Sequence, residues 1–312
     1  MRCMVTGAAG FIGSHLCEAL LLDGAEVVGI DAFIPYYPRA IKMANLAGLQ
    51  QHPQFAFYEL DLREADLAAV LDGVEVIFHI AAMPGLLASW SQFESYMTCN
   101  VLATQRLLQA ASESGQVRQF LHASTSSIYG SLVLGDEQTK PQPVSPYGIT
   151  KLAGEHLAQV YNAQFGLPTS ILRYFSVYGP RQRPDMGYYI FIERILQGRP
   201  ITVFGSGDQL RGNTYVGDIV RATQLAHQRF TPGSVYNIGG AEEVSANQVI
   251  ALLQDIIGKE AIVQHGPERP GEQSRALAEM RLAREQLGFV PATSLRQGLE
   301  AQVAWQRSVA RD

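Results

Sequence analysis

The stretch Val5-Thr6-Gly7-Ala8-Ala9-Gly10-Phe11-Ile12-Gly13 decides the fold. It follows a short apolar run, Cys3–Val5, and leads into an amphipathic segment, His15–Leu22. Strand, glycine turn and helix in that order open a nucleotide-binding unit. Gly7 can make the tight turn, Gly10 can let backbone approach a pyrophosphate, and Gly13 can let helix and strand pack closely. Phe11 and Ile12 start the helix, whose free N–H groups and positive partial charge favour phosphate. Three glycines spaced Gly-x-x-Gly-x-x-Gly are a weak signal alone, and Asp31 strengthens it. Asp31 closes the next apolar run, Val27-Val28-Gly29-Ile30, about 20 residues past the glycines, where a carboxylate can accept both ribose hydroxyls of an adenosine. The same carboxylate repels a 2′-phosphate, so NAD is expected rather than NADP. Asp61-Leu62, after the third run, either flanks the adenine or caps a helix before Glu64.

Working outward, Glu26–Ile30, Phe55–Glu59, Val76–Ile80, Phe120–Ala123 and Ser170–Leu172 read as further strands. Ile41–Gln51, Ala65–Leu71, Met97–Ser114 and Lys151–Phe165 read as helices between them. This alternation predicts an α/β fold of Rossmann type, a doubly wound parallel sheet with right-handed crossovers and helices on both faces. After Pro180 the rhythm loosens into turn-rich segments such as Gly205-Ser206-Gly207-Asp208. Ile190–Leu196, Asp218–His227, Asn247–Ile257 and Leu295–Trp305 look helical, and Ser234–Ile238 looks like one more strand returning to the sheet. A length of 312 residues suits two domains. The expected division is 1–175 plus 214–240 for the dinucleotide, and 176–213 plus 241–312 for a smaller, discontinuous C-terminal unit.

Composition narrows the function. Hydrophobic residues at 47% and charged residues at 17% support a packed core and exclude a disordered chain. A net charge of −5 without a basic tract argues against nucleic acid as a partner. No apolar run is long enough to predict a membrane span. The N-terminus reaches its glycine turn too early to hold a signal-peptide core. Cys3, Cys17 and Cys99 are far apart and odd in number, which predicts a reducing compartment, the cytoplasm, and no disulfide framework. The scattered histidines and the lack of Cys-x-x-Cys give no local metal-ligand spacing.

The chemistry centres on Ser145-Pro146-Tyr147-Gly148-Ile149-Thr150-Lys151. Residues four apart share a helix face, so Lys151 sits beside Tyr147 and favours its phenolate. Bringing a tyrosine from about 10 to near 7 needs roughly 4 kcal/mol of differential stabilisation. Lys151 together with a cationic nicotinamide is expected to supply it and make Tyr147 a general base. Such a pair also arises by chance, so the segment upstream carries weight. Ser124-Thr125-Ser126-Ser127 ends the run Phe120–Ala123, at the carboxyl end of a strand where open α/β sheets bind ligands. These hydroxyls can orient a substrate alcohol beside Tyr147.

Together these pieces resemble the extended short-chain dehydrogenase/reductase family, in its nucleotide-sugar epimerase branch, over nearly the whole chain. The resemblance rests on Thr6–Leu16, His79–Ala82, Asn100, Ser124–Gly130, Ser145–Glu155, Arg173–Pro180 and Thr214–Ile219. It implies a catalytic triad of Thr125, Tyr147 and Lys151. It also implies that Ala81, Ala82 and Asn100 line the cofactor, and that Tyr174 and Ser176 approach nicotinamide and sugar, with Pro84 beside them. Pro35-Tyr36-Tyr37-Pro38-Arg39 and Gly179–Met186 look like the corresponding stretches of UDP-glucuronate 4-epimerases. Ser126 and Ser127 stand where dehydratases of the family carry Asp-Glu and where related decarboxylases carry a Glu at the second position. Departures are Gly217 for an acid, Gly212-Asn213 for Asp-Phe, and Leu87 where close relatives often have Arg.

The implied reaction inverts carbon 4 of a UDP-hexuronate. Tyr147 takes the proton of the 4-hydroxyl as hydride passes from carbon 4 to NAD; a 4-keto sugar turns over in the site, and hydride returns to its other face. The keto acid loses carbon dioxide if its carboxylate aligns with the ketone π system. Hydroxyls of Ser124, Thr125, Ser126 and Ser176 could hold it out of alignment. Arg183 is either its charged partner or a surface arginine in a proline-flanked loop. By resemblance Arg211 and Arg269 grip the diphosphate; a solvated-loop reading stays open for both. UDP-glucose epimerisation, UDP-glucuronate decarboxylation and a non-catalytic NAD sensor are the alternatives. Relatives commonly pair two long helices of each subunit, so a homodimer through Met97–Ser114 and Lys151–Phe165 is expected.

Overall fold

The apolar runs form seven strands: β1 (Arg2–Thr6), β2 (Glu26–Asp31), β3 (Phe55–Glu59), β4 (Val76–His79), β5 (Gln119–Thr125), β6 (Thr169–Tyr174) and β7 (Val235–Ile238). This is a computed structural model that describes residues 1–133, 135–240, 242–267 and 275–309. The spatial order is β7-β6-β5-β4-β1-β2-β3, and every neighbouring pair is parallel. Strands covered on both faces need unbroken apolar runs; Cys3, Met4 and Val5 of β1 are fully buried, as are Ile77 and Phe78 of β4. The chain runs outward from β1 to β3, then returns to β4 on the other side of β1. That reversal opens a crevice at the carboxyl ends of β1 and β4.

The helices are α1 (Phe11–Leu22), α2 (Arg39–Leu46), α3 (Ala103–Ser114), α4 (Pro146–Phe165), α5 (Gly187–Gln197), α6 (Val216–Gln228), α7 (Ala246–Ile257) and α8 (Leu295–Val309), with shorter ones between. One face of the sheet buries Leu16, Cys17 and Leu20 of α1 with Ile219 and Ala222 of α6. The other buries Leu107, Leu108 and Ala111 of α3 with Ala158 of α4.

Local chemistry moves several boundaries from their expected places. Helix α4 begins before Lys151, because Ser145 accepts a hydrogen bond from Gly148 N at 3.1 Å and Pro146 presets the first turn. Both Tyr147 and Lys151 therefore lie on the helix. The expected helix Ile41–Gln51 ends at Leu46, with a 3-10 turn at Leu49–Gln51. Ala65–Leu71 shrinks to Ala68–Leu71, where the Asp66 carboxylate accepts from Ala68 N. Met97–Ser114 is not one helix: a π-helical turn, Thr98–Leu102, joins Phe93–Met97 to α3. Such turns are common at functional sites.

Beyond β6, Val177–Tyr178 pairs in parallel with Thr214–Tyr215, and Ile201–Phe204 with Val263–Gly266. A separate core joins Ile192 and Ile195 of α5 to Val249 and Leu253 of α7 and Leu299 of α8. The segment from Ala278 to Phe289, which the expected division gives to the second unit, packs Met280, Ala283 and Leu287 into the core under the large sheet.

Candidate active site

The carboxyl ends of the strands open into a cleft of about 430 Å³, reaching from the glycine turn to Arg183. Gly7 holds φ +73°, and a Cβ there would lie 3.0 Å from the Ala81 backbone. A Cβ on Gly13 would run into the carbonyl oxygen of Gly7. Gly10 caps α1 without any side-chain acceptor, so the first-turn N–H groups are left for an anion. Asp31 is buried; its Oδ1 accepts from Phe33 N at 2.8 Å and from Lys42 Nζ at 3.2 Å. Asp61 and Leu62 line a side cavity of about 90 Å³ with Ala81, Ala82 and Asp31. The Asp61 carboxylate folds onto Arg63, with Nη2 at 2.7 Å and backbone N at 2.9 Å. These contacts with Arg63, hydrogen bonds first, hold its pKa below the usual range. No helix starts directly after Asp61, the next one beginning at Ala68, so the capping reading of Asp61 fails.

At the other end Tyr147 and Lys151 come from α4 and Thr125 from the end of β5, and all three line the cleft. The Tyr147 ring packs edge-on against Tyr96, centroids 6.2 Å apart. Tyr96 is held by the carbonyls of Pro84 and Gly85. Burial pushes the Tyr147 phenol up, while a hydrogen bond with Thr125 and the Arg183 guanidinium pull it back. The protein alone therefore raises Tyr147 on balance, contrary to the expected depression by Lys151, because burial outweighs the neighbouring charges. Burial also pushes Lys151 down to about 8, against the upward pull of Glu155. Arg183 binds Asp185 through Nε at 2.9 Å and Nη2 at 3.0 Å, and Tyr36 reaches the same carboxylate at 3.3 Å.

A second cavity of about 760 Å³ continues from the cleft through Ser176, Met186 and Arg211 toward α5 and strand Ile201–Phe204. Among the described residues no group of three His, Cys, Asp or Glu could hold a metal, and no helix is long and apolar enough to cross a membrane.

A dinucleotide cradle, a Tyr-Lys pair and a long second cavity on one crevice define a kind of enzyme, and comparison agrees. The profile of the NAD dependent epimerase/dehydratase family matches residues 3–239. The chain belongs to this family. It is 46% identical to an uncharacterized UDP-glucose epimerase of Bacillus subtilis (strain 168), over 99% of both chains. It is 34% identical to a UDP-glucuronate 4-epimerase of Thermodesulfobacterium geofontis (strain OPF15), over 97% of this chain and 95% of that one. The crystal structure of a UDP-glucuronic acid 4-epimerase from Bacillus cereus, in complex with UDP-glucuronic acid and NAD, superposes with a TM-score of 0.96. That match has 43% identity over 99% of this chain and all of the other.

In this epimerase-family chain most of the expected site residues share the crevice: Gly7, Gly10, Phe11, Ile12, Gly13, Asp31, Ala82, Pro84, Ser126, Ser176, Arg183 and Arg211 line it beside the triad. Two expectations need correction. Asn100 does not face the cleft: its amide is spent on Met83 N and O and on Thr150 Oγ1, pinning the Ala81–Met83 loop to α4. Ser124 lines the cleft, but its hydroxyl donates to Glu155. Tyr174 lines the cleft as expected, and its hydroxyl pairs with Thr223 Oγ1 at 2.7 Å. Arg269 lies outside the described residues. Lys42, Arg63 and Asp185 went unnoticed in the sequence. Lys42 and Arg63 line the cleft and its side cavity, and Asp185 stays exposed beside the second cavity, placements that no local pattern along the chain reports.

Proposed function

We propose that this chain is an NAD-dependent UDP-glucuronate 4-epimerase. The observation that carries the reading is Arg183, a guanidinium that reaches the cleft close enough to act on Tyr147. Thr125, Ser126, Ser127 and Ser176 line the same cleft and bring hydroxyl groups to it. That set suits a carboxylate next to the reacting alcohol.

NAD fits the open helix N-terminus, the glycine cradle that any Cβ would fill, and the Asp31 carboxylate. When bound it supplies the hydride acceptor at carbon 4 and the donor for the return. The chain's own residues do the rest. Tyr147 accepts the proton of the 4-hydroxyl and gives it back to the epimer. Lys151 keeps positive charge under that phenol, and Thr125 holds a hydrogen bond to it. Thr125, Ser126 and Ser176 hold the carboxylate out of line with the ketone, so the 4-keto acid is reduced before it loses carbon dioxide. Arg211, at the joint of the two cavities, suits the diphosphate.

The division of labour follows: the large sheet binds NAD, and the α5–α7–α8 region binds the nucleotide sugar. Leu102 beside α3, and Ile149, Val160 and Phe165 of α4, are exposed apolar residues that support a two-fold homodimer through these helices. Cys3, Cys17 and Cys99 are free thiols, in keeping with a reducing cytoplasm.

Leu87, next in sequence to the cleft-lining Leu86, is exposed and apolar, and the B. subtilis relative carries a UDP-glucose name; both favour a neutral hexose as the second reading. Incubating the purified protein with each sugar and following products by NMR separates the two. Interconversion of UDP-glucuronate and UDP-galacturonate is expected, with Tyr147→Phe inactive yet still binding NAD. Turnover of UDP-glucose alone, or release of carbon dioxide with a UDP-pentose, overturns the assignment.

A further inference from the structure

Helix α4 carries more than the Tyr-Lys pair on its inner face. Tyr147, Lys151 and Glu155 follow at intervals of four, so their side chains line one stripe of the helix. Glu155 is 1% exposed, deeper than either of the others. Its carboxylate accepts from Arg173 Nη2 at 2.8 Å and from Arg173 Nε at 3.1 and 3.2 Å, and it takes the Ser124 hydroxyl as well. Arg173 is fixed in turn: Nη1 donates to Tyr129 Oη at 2.7 Å and to the Glu137 carbonyl at 3.0 Å. Two strands thus clamp this carboxylate in one place, β5 through Ser124 and β6 through Arg173.

A buried ion pair of this kind is a poor way to stabilise a fold, since apolar residues of the same volume do as well. Its charge has another use one turn away. Lys151 is almost wholly buried, and burial works against its ammonium. The groups facing it from the neighbouring elements offer no help. His79 on β4 and His122 on β5 stack at 5.4 Å and are held neutral by burial. Neither nitrogen of His122 has a partner. Tyr147 shares the helix face, and Arg183 across the cleft brings a positive charge already paired with Asp185. Glu155 is the one carboxylate among the described residues that acts on Lys151.

We propose that Glu155 is a positioning residue, clamped by Arg173 and Ser124 so that its negative charge keeps the Lys151 ammonium protonated and thereby sets the pH range in which Tyr147 exchanges its proton. This rests on the reading of Tyr147 and Lys151 given above. Removing a negative charge lowers the pKa of both groups. The acid limb, where Tyr147 must lose its proton, and the alkaline limb, where Lys151 must keep one, then both move to lower pH. A residue that only holds the fold together would reduce kcat without moving either limb.

The test is the pH profile of kcat for the NAD-loaded enzyme on UDP-glucuronate, for wild type, Glu155→Asp, Glu155→Gln and the double variant Glu155→Gln/Arg173→Met. The double variant removes both buried charges together, so the fold survives if the unpaired arginine of the single variant unfolds it; thermal melts report which variants are folded. Both limbs should move down by about one pH unit in Glu155→Gln and by less in the double variant, where the positive charge of Arg173 leaves together with the negative charge of Glu155. They should stay in place in Glu155→Asp, which keeps the charge. Unmoved limbs in a folded Gln variant overturn the proposal. Tyr147→Phe separates the two levels: activity in that variant condemns the catalytic reading, whereas its inactivity with unmoved Gln limbs condemns the role of Glu155 alone.

Discussion

Replacing Lys151 by methionine should make the nucleotide-free chain more stable while abolishing turnover. Burial lowers the Lys151 ammonium from its ordinary 10.5 to about 8, even with Glu155 pulling the other way. At about 1.4 kcal/mol per tenfold, that fall is about 3 kcal/mol held against folding. The sign follows from the protons. Near pH 7 the lysine is protonated in both folded and unfolded chains, so the whole penalty is present. Between about 8 and 10.5 the folded chain releases its proton first and the penalty fades. Methionine fills nearly the same volume without a charge, and Glu155 stays satisfied by Arg173 and Ser124. Urea unfolding of NAD-stripped protein measures the difference; the cofactor must be removed because its binding adds stability of its own. The variant should lead by about 2–3 kcal/mol near pH 7, with the gap closing toward pH 10. A variant less stable than wild type near pH 7, or a gap that ignores pH, refutes the claim that Lys151 is held charged at a cost.

Other outcomes follow from the same geometry. Gly13→Ala places a methyl against the Gly7 carbonyl; it should cost about 1–3 kcal/mol and weaken NAD binding at least about tenfold by fluorescence titration. Gly48→Ala, where a Cβ meets nothing within 4 Å and φ is −72°, should leave NAD binding unchanged. Arg183→Leu removes the charge that reaches the cleft, so kcat/KM for UDP-glucuronate should fall roughly 10- to 100-fold, the worth of one charge-assisted hydrogen bond. The loss on UDP-glucose should be much smaller; equal losses would mean that Arg183 does not read the carboxylate. Val160→Glu with Phe165→Glu puts charges on the exposed apolar face of α4 and should give a monomer by light scattering.

What the sequence showed was local, and what it hid was long-range. Gly7, Gly10 and Gly13 sit within one turn of chain, so their spacing carried the cradle directly. Asp31 was legible because it ends an apolar run whose length fixes where the strand stops. Asn100 was assigned to the cofactor, yet its partners Met83 and Thr150 lie 17 and 50 residues away, a distance at which no pattern along the chain shows which way an amide turns. Ser124 is the same case: its hydroxyl points back because Glu155 and Arg173 lie behind it, and neither contact is local. The helix expected from Met97 to Ser114 failed for a different reason. Its apolar periodicity continues through residues 98–102, while the backbone there widens to a π turn, a change that side-chain pattern does not report.

The site joins two demands that conflict when considered singly. A base that works near neutrality needs positive charge close to a phenol, and a buried ammonium resists carrying that charge. The chain meets the conflict in layers: Lys151 lies under Tyr147, Glu155 under Lys151, and Arg173 under Glu155, so charge alternates in sign from the cleft into the sheet. An alternating stack cancels at long range and acts strongly at short range. Lys151, Glu155 and Arg173 sum to one positive charge, which the Tyr147 phenolate balances when it forms. A uronate substrate then brings its own negative charge to the far side of Tyr147, where Arg183 stands with Asp185 already in its grip. The carboxylate of the sugar has to share that arginine or displace Asp185. Asp185→Asn should thus tighten UDP-glucuronate, seen as a lower KM, and leave UDP-glucose unaffected; an unchanged uronate KM would show that Asp185 and the sugar do not compete.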